Sequence, residues 1–172
     1  MIVSTPLTAD GCLPDLYGKF APEEAMTDGH PTVSFPIDIS DVPASAASLA
    51  LAFVDFDAVP VGGFCWIHWL ACNIDPAVTH IPENASAEES IAMVQGSNSD
   101  WSPLAGSCEN PRVIHRYAGP FPPDAMHEYT LELYALDCTL DLEEGYFLND
   151  FRRAIRGHVI EKATMEIPSR AF

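Results

Sequence analysis

Polar and apolar positions alternate with period two over EYTLELYAL (128–136). Tyr129, Leu131, Leu133 and Ala135 share one face, and Glu128, Thr130, Glu132 and Tyr134 the other, which predicts a half-buried strand. SLALAFVDF (48–56) predicts a second strand, introduced by the turn-like DVPAS. FCWIHWLACNI (64–74) is apolar on both faces, the pattern of a central strand. HPTVSFPIDI (30–39) reads as extended, its internal Pro36 marking an edge or irregular strand. VIHRY (113–117) predicts a short strand and HVIEKATMEI (158–167) a closing one.

Helical periodicity is confined to two stretches. SAEESIAMV (86–94) opens with the Ser86/Glu89 spacing of a capping box. NDFRRAIRG (149–157) offers Asn149 as N-cap, Phe151 and Ile155 on one face, and Gly157 as a stop. Strands outnumber helices, no βαβ repeat is visible, and the apolar segments are short. The pattern predicts a mainly β sandwich with a few peripheral short helices, one domain over residues 1–172.

Composition narrows what such a domain does. Apolar residues make up 48% and charged ones 19%, so the chain has the material for a core and is not a disordered segment. No apolar run approaches the roughly 18–20 residues of a membrane span, and MIVSTPLTADGC lacks the charged and apolar regions of a secretory signal. The formal net charge of −17, from 25 acidic and 8 basic residues, disfavours nucleic acid and anionic membrane surfaces as partners. The five cysteines form no CxxC or metal-like spacing, and a Cys65–Cys72 disulfide within one extended strand is geometrically unsuitable. An odd cysteine count without a signal points to a reducing cytoplasm.

Several polar residues interrupt the strands where apolar ones belong. Asp55 falls on the face of Leu51 and Phe53, His68 on that of Trp66 and Leu70, and His127 shares a face with Tyr129. Asp57 follows where the chain turns. Each has an ordinary explanation: a histidine hydrogen-bonded in the core, an aspartate closing a turn, a tyrosine with its hydroxyl at the rim. Two carboxylates, two imidazoles and a phenol at strand ends are more than turn chemistry requires. GPFPPDAMHEY (119–129) adds a donor-poor, stiff loop that ends on His127 and Tyr129. Its prolines limit the conformational freedom lost on binding and leave Gly119 and Phe121 as backbone donors.

DFDAVP, WIHWLACNI and YAGPFPPDAMHEYTLELYALD, in that order, resemble the signature of the phosphatidylethanolamine-binding proteins. The likeness is particularly to the bacterial branch, the Raf kinase inhibitor-like YbhB/YbcL proteins. FLNDFRRAIRGHVIEKATM is similar to that branch's closing helix and strand, and Asp10, Gly11, Pro14 and SFPIDIS extend the match over most of the chain. The resemblance implies an antiparallel β-sandwich with a small anion-accepting pocket at one end. Carried over, the pocket holds Asp55, Asp57, Trp66, His68, Gly119, Phe121, Pro122, His127 and Tyr129, with Gly96 and Asn98 nearby. The chain departs from the family pattern at Phe56, in place of proline, at the inserted Val59, and at Glu128, where arginine is usual.

Three functions are compatible with these residues. The first is a non-catalytic binding or regulatory protein for small phosphorylated or other anionic ligands such as phosphoethanolamine head groups, with no cofactor and no metal. No GxSxG, P-loop or activated cysteine assembles a nucleophile. The second, which the resemblance permits, is a kinase or protease inhibitor acting by protein contact. The third is a metal-assisted hydrolase using Asp55, Asp57, His68 and His127. The resemblance also suggests a homodimer.

Overall fold

A computed structural model describes residues 1–106 and 108–172. The N-terminal half contains β1 (Ile2–Ser4), β2 (Met26–Thr27), β3 (His30–Pro31), β4 (Ile37–Ser40) and β5 (Ser48–Asp55). A single helical turn α1 (Val59–Gly62) leads to β6 (Trp66–Ile74), β7 (His80–Ile81), the turn α2 (Ala85–Glu88) and β8 (Val94–Gln95). The turn α3 (Pro111–Ile114) precedes β9 (His127–Leu136), α4 (Leu148–Ala154) and β10 (Val159–Ser169). The strands pair antiparallel in a five-stranded sheet, order β10-β9-β5-β6-β8, a three-stranded sheet, order β1-β4-β7, and the β2-β3 ladder. This is the mainly β architecture with small peripheral helices that the alternation predicted, with the antiparallel pairing that the resemblance implied. Among the described residues no helix is long and apolar enough to cross a membrane.

The middle of the large sheet is buried on both faces, and β5 shows why. Its alternation is large against small. Leu49, Leu51 and Phe53 face the three-stranded sheet, joining Ile37, Ile39 and Ile81, while Ala50 and Ala52 face the opposite way. The small side chains let α4 come down on that second face, where Phe151 and Ile155 pack with Tyr134 and Tyr146. Phe35 centres the first core, edge-on to Tyr17, Phe53, Trp69 and Tyr117 at ring-centroid distances from 5.1 to 6.4 Å. Fully burying a side chain of this size contributes about 1.5–3 kcal/mol, and edge-on aromatic pairs add to it.

Local structure departs from the sequence reading in five places. The 30–39 segment divides: β3 ends at Pro31, and β4 starts after Pro36 as the middle strand of its sheet, not an edge. β1, which the alternation left unassigned, pairs with it. The predicted strand at 113–117 starts as helix, because the Asn110 carboxamide accepts from the Arg112 N–H at 3.0 Å and Pro111 occupies the first turn. The predicted helix at 86–94 is one turn. Ser86 is not its cap but a buried link: its hydroxyl donates to Gln95 Oε1 at 2.6 Å and accepts from the Tyr117 N–H at 2.8 Å. Finally, Phe147, not Asn149, occupies the N-cap position of α4, whereas Gly157 follows the helix with φ of 85° as a stop should.

Candidate functional site

Register across three strands builds the site. Asp55, the last residue of β5, pairs with Tyr129 of β9 on one side and Trp66 of β6 on the other. The three side chains therefore stand in a row at one end of the large sheet. His68 joins them through a bulge. Phe53 pairs with Trp69 and Val54 with Ile67, so His68 is an extra residue on its strand. The bulge changes the facing read from the sequence: Leu70 belongs to the second core, while His68 stays against Phe53 and Tyr129, with ring centroids 5.7 and 5.1 Å apart.

Around this row lies a cavity of about 400 Å³. Asp55, Trp66, His68, Gly119, Phe121, His127 and Tyr129 line it, together with residues that sequence reasoning did not single out. Val61, within α1, and Phe64, just after it, form an apolar wall, and Phe64 stacks on Trp66 at 6.2 Å. His30 and Asp100 stand on another side, with Nδ1 3.4 Å from Oδ2. Asp100 was detectable only indirectly. In SNSDW, Asn98 accepts from the Asp100 N–H at 3.0 Å and donates from Nδ2 to the carbonyls of Val113 and Arg116 at 2.6 and 2.9 Å. Asn98 thus positions Asp100, while Gly96 is required because a Cβ there would sit 2.7 Å from the Tyr146 ring.

Two of the expected residues lie outside the cavity lining. Asp57 accepts the Glu128 N–H at 2.9 Å and so ties the turn after β5 to the start of β9. Pro122 gives its carbonyl to Lys19 Nζ at 2.9 Å, and Pro123 faces the cavity instead. Lys19 also caps the Ala171 carbonyl at 3.0 Å and lies 5.5 Å from the Phe121 ring centroid, pinning the proline loop from beneath. Gly119 is not a free donor: its N–H is held by the Pro31 carbonyl at 2.8 Å. It is glycine for a steric reason, since a Cβ would approach the Tyr17 carbonyl oxygen to 2.1 Å.

The two buried histidines of the site are shifted in opposite directions. His127 Nδ1 is 2.7 Å from Asp55 Oδ2, and its Nε2 is 3.0 Å from Asp124 Oδ1. Burial acts against charge on this ring, but its hydrogen bonds to Asp55 and Asp124, with the charges of both, outweigh it and raise its pKa. Asp55 also accepts the Ala58 N–H at 3.1 Å, which orients the carboxylate. His68 behaves oppositely. Burial lowers its pKa more than the Ala118 carbonyl and the charges of Asp100 and Asp55 raise it. Its Nδ1 lies 2.6 Å from the Ala118 carbonyl and so carries the proton, leaving Nε2 with no protein hydrogen bond among the described residues. Burial and the adjacent Asp55 carboxylate push the Tyr129 phenol far up, so it is a neutral donor.

The same geometry can grip a phosphate or carboxylate at His127, and an ammonium at Asp55 or Asp100. Three of the lining residues, Val61, Phe64 and Phe121, are exposed apolar side chains, and Phe56, Val59 and Met126, next in the chain to lining residues Asp55, Ala58 and His127, are exposed as well.

Comparison with known proteins identifies the family and the fold. A family model described as phosphatidylethanolamine-binding protein matches residues 4–169. The Bacillus subtilis protein YxkA is 48% identical over 162 residues, covering 94% of this chain and 96% of that one. The crystal structure of CT736 from Chlamydia trachomatis, titled as a homolog of that family, superposes with TM-score 0.69 at 33% identity over 90% of this chain and 91% of its own. Escherichia coli YbcL, at 20% identity, shares the fold with TM-score 0.76 over 98% of this chain and 97% of its own.

Proposed function

Because the chain belongs to the phosphatidylethanolamine-binding protein family, we propose that it is a non-catalytic binding protein whose cavity takes a small phosphate-bearing head group, phosphoethanolamine-like in chemistry. One observation carries the reading: the Nε2 of buried, proton-retaining His127 is held by the carboxylate of surface residue Asp124. The position beside His127 therefore already accepts an anion, and a ligand phosphate takes it by displacing Asp124. Charge-assisted bonds of this kind are about twice as strong as neutral ones. His68 Nε2 is an acceptor for a protonated phosphate oxygen. A ligand ammonium finds Asp55 and Asp100 lining the same cavity, which offsets the local negative charge that a bare anion would meet.

Titration calorimetry with phosphoethanolamine and with inorganic phosphate tests this. One equivalent should bind, phosphoethanolamine more tightly, and His127→Ala should lose most of the heat. Absence of binding of both between about pH 5.5 and 8, around the ordinary histidine range, overturns the reading.

A kinase or protease inhibitor acting by protein contact has support from the exposed apolar collar at the mouth, but that collar equally suits the acyl portion of a lipid. A metal-assisted hydrolase fits the donors poorly. His127 Nδ1 is committed to buried Asp55 and its Nε2 is open only when Asp124 is displaced, His68 Nδ1 is engaged, and Asp57 is turned to a backbone N–H.

A further inference from the structure

A second cluster of ligating groups lies at the far end of β9. Asp137 and Cys138 follow the strand's last residue, and His158 immediately precedes β10. One ligand atom from each of the three lies within 4.8 Å of the others. His158 Nδ1 is 2.8 Å from Asp137 Oδ1. We infer that Asp137, Cys138 and His158 form a surface site for zinc(II), distinct from the cavity.

The donor set selects the metal. One thiolate sulfur, one imidazole nitrogen and one carboxylate oxygen suit zinc, whereas calcium and magnesium require oxygen. Tetrahedral zinc, with bonds of about 2.0–2.3 Å, places its ligand atoms about 3.3–3.8 Å from one another. The observed cluster reaches that geometry by opening the Asp137–His158 contact by a few tenths of an ångström and turning the thiol inward. The thiol proton leaves to solvent. Water completes the fourth position, since Asp137 and His158 are exposed and Cys138 half-buried.

The backbone beneath the three residues is pinned, so little order is lost on binding. The Asp137 N–H donates to the His158 carbonyl at 3.0 Å, and the His158 N–H to the Ile155 carbonyl at 3.0 Å. The Ser48 hydroxyl donates to the Cys138 carbonyl at 2.6 Å. Gly157, with φ of 85°, turns the chain out of α4 so that His158 meets Asp137. The sequence hid the site because its ligands stand 20 residues apart with a helix between them. Zinc here would clasp the two ends of that excursion.

The test is titration of the purified full chain with cobalt(II), then zinc(II). One equivalent of cobalt should give a near-ultraviolet thiolate charge-transfer band and intense visible bands of tetrahedral cobalt, both bleached by zinc. Cys138→Ser should abolish the near-ultraviolet band, and His158→Ala should weaken zinc binding at least about tenfold. Cys108→Ser, a control at another half-buried cysteine, should change neither. Circular dichroism of the metal-free variants establishes that they fold. Phosphoethanolamine binding should be unchanged in Cys138→Ser, because nine strand residues at about 3.4 Å each put the two sites about 30 Å apart. No thiolate band at one equivalent, or a band that survives Cys138→Ser, overturns the proposal.

Discussion

Asp55 Oδ2 and His127 Nδ1 lie 2.7 Å apart, with both side chains sealed from solvent at 5% and 4% exposure. The pair joins the end of β5 to the start of β9, and those strands are already in register from Ser48–Leu136 to Asp55–Tyr129. A carboxylate and an imidazole are affordable here because each satisfies the other, and the spare Asp55 oxygen takes the Ala58 N–H.

Asp55→Asn keeps the shape and removes the charge. The His127 pKa should then fall, as followed by its ring resonances in NMR, and phosphate affinity should fall with it. Stability should drop by about 1–3 kcal/mol in urea unfolding, the cost of a weakened buried hydrogen bond. An unchanged His127 titration would mean that Asp124 alone sustains its charge.

Asp124→Asn should act in the other direction on binding. Asp124 is the internal occupant of the anion position at His127 Nε2, and hydrogen bonding to His127 is the main cause of its own lowered pKa. A neutral amide competes less well with phosphate. Calorimetry should give a several-fold tighter phosphate complex, provided the pH is low enough for His127 to stay charged without Asp124.

The raised pKa of His127 also makes stability depend on pH. Its unfolded value is about 6.5 and its folded value is higher. Its contribution is therefore full below about pH 6.5 and is lost as pH rises through the folded value. His68, with its lowered pKa, contributes in the opposite sense: fully above about 6.5 and less as pH falls through its folded value. Urea unfolding across pH should show the alkaline decline in the wild type and not in an Asp55→Asn/His127→Gln double variant.

The site was legible in the sequence where a side chain's identity carried the signal. Asp55, His68, His127 and Tyr129 stood out as polar groups on strand faces whose continuation is core, and they line one cavity. His30 and Asp100 escaped notice because only loop closure brings them there: Asp100 is held by Asn98, and His30 sits at the β2-β3 ladder. The His68 bulge was invisible because an inserted residue leaves no mark on an all-apolar strand, yet it shifts the facing of Trp69 to Cys72, until a second irregularity returns Ile74 to the first core. The alternation of β5 and β9 was clear for the same reason that they occupy the sheet's middle. α2 is a single turn tied by hydrogen bonds to the distant Ser34, and α3 a single turn set by the local Asn110 cap and Pro111; both are too short to show a helical period.

Gly119→Ala probes the lip of the cavity without touching a charge. The added methyl would collide with the Tyr17 carbonyl, which also accepts the Tyr117 hydroxyl at 2.6 Å. Backbone on both sides cannot yield as a flexible side chain would, so overpacking should cost at least about 2 kcal/mol. Denaturant melts should show that loss, and phosphoethanolamine affinity should fall because Phe121 moves with the loop.

Asp57 is the position where the residue's chemistry and its placement give different expectations. A ligand-binding carboxylate would lose its function on any neutralisation. In the structure, however, Asp57 is an exposed side chain whose oxygen accepts the Glu128 N–H at 2.9 Å, next to His127. Asparagine can still offer an oxygen to that N–H and alanine cannot. Asp57→Asn should therefore keep near-native affinity for phosphoethanolamine and near-native stability. Asp57→Ala should lose about 1 kcal/mol of stability and bind more weakly, because the start of β9, untied at Glu128, no longer holds His127 in place. Equal loss of binding in both variants would instead show that the charge itself meets the ligand, returning Asp57 to the cavity beside Asp55.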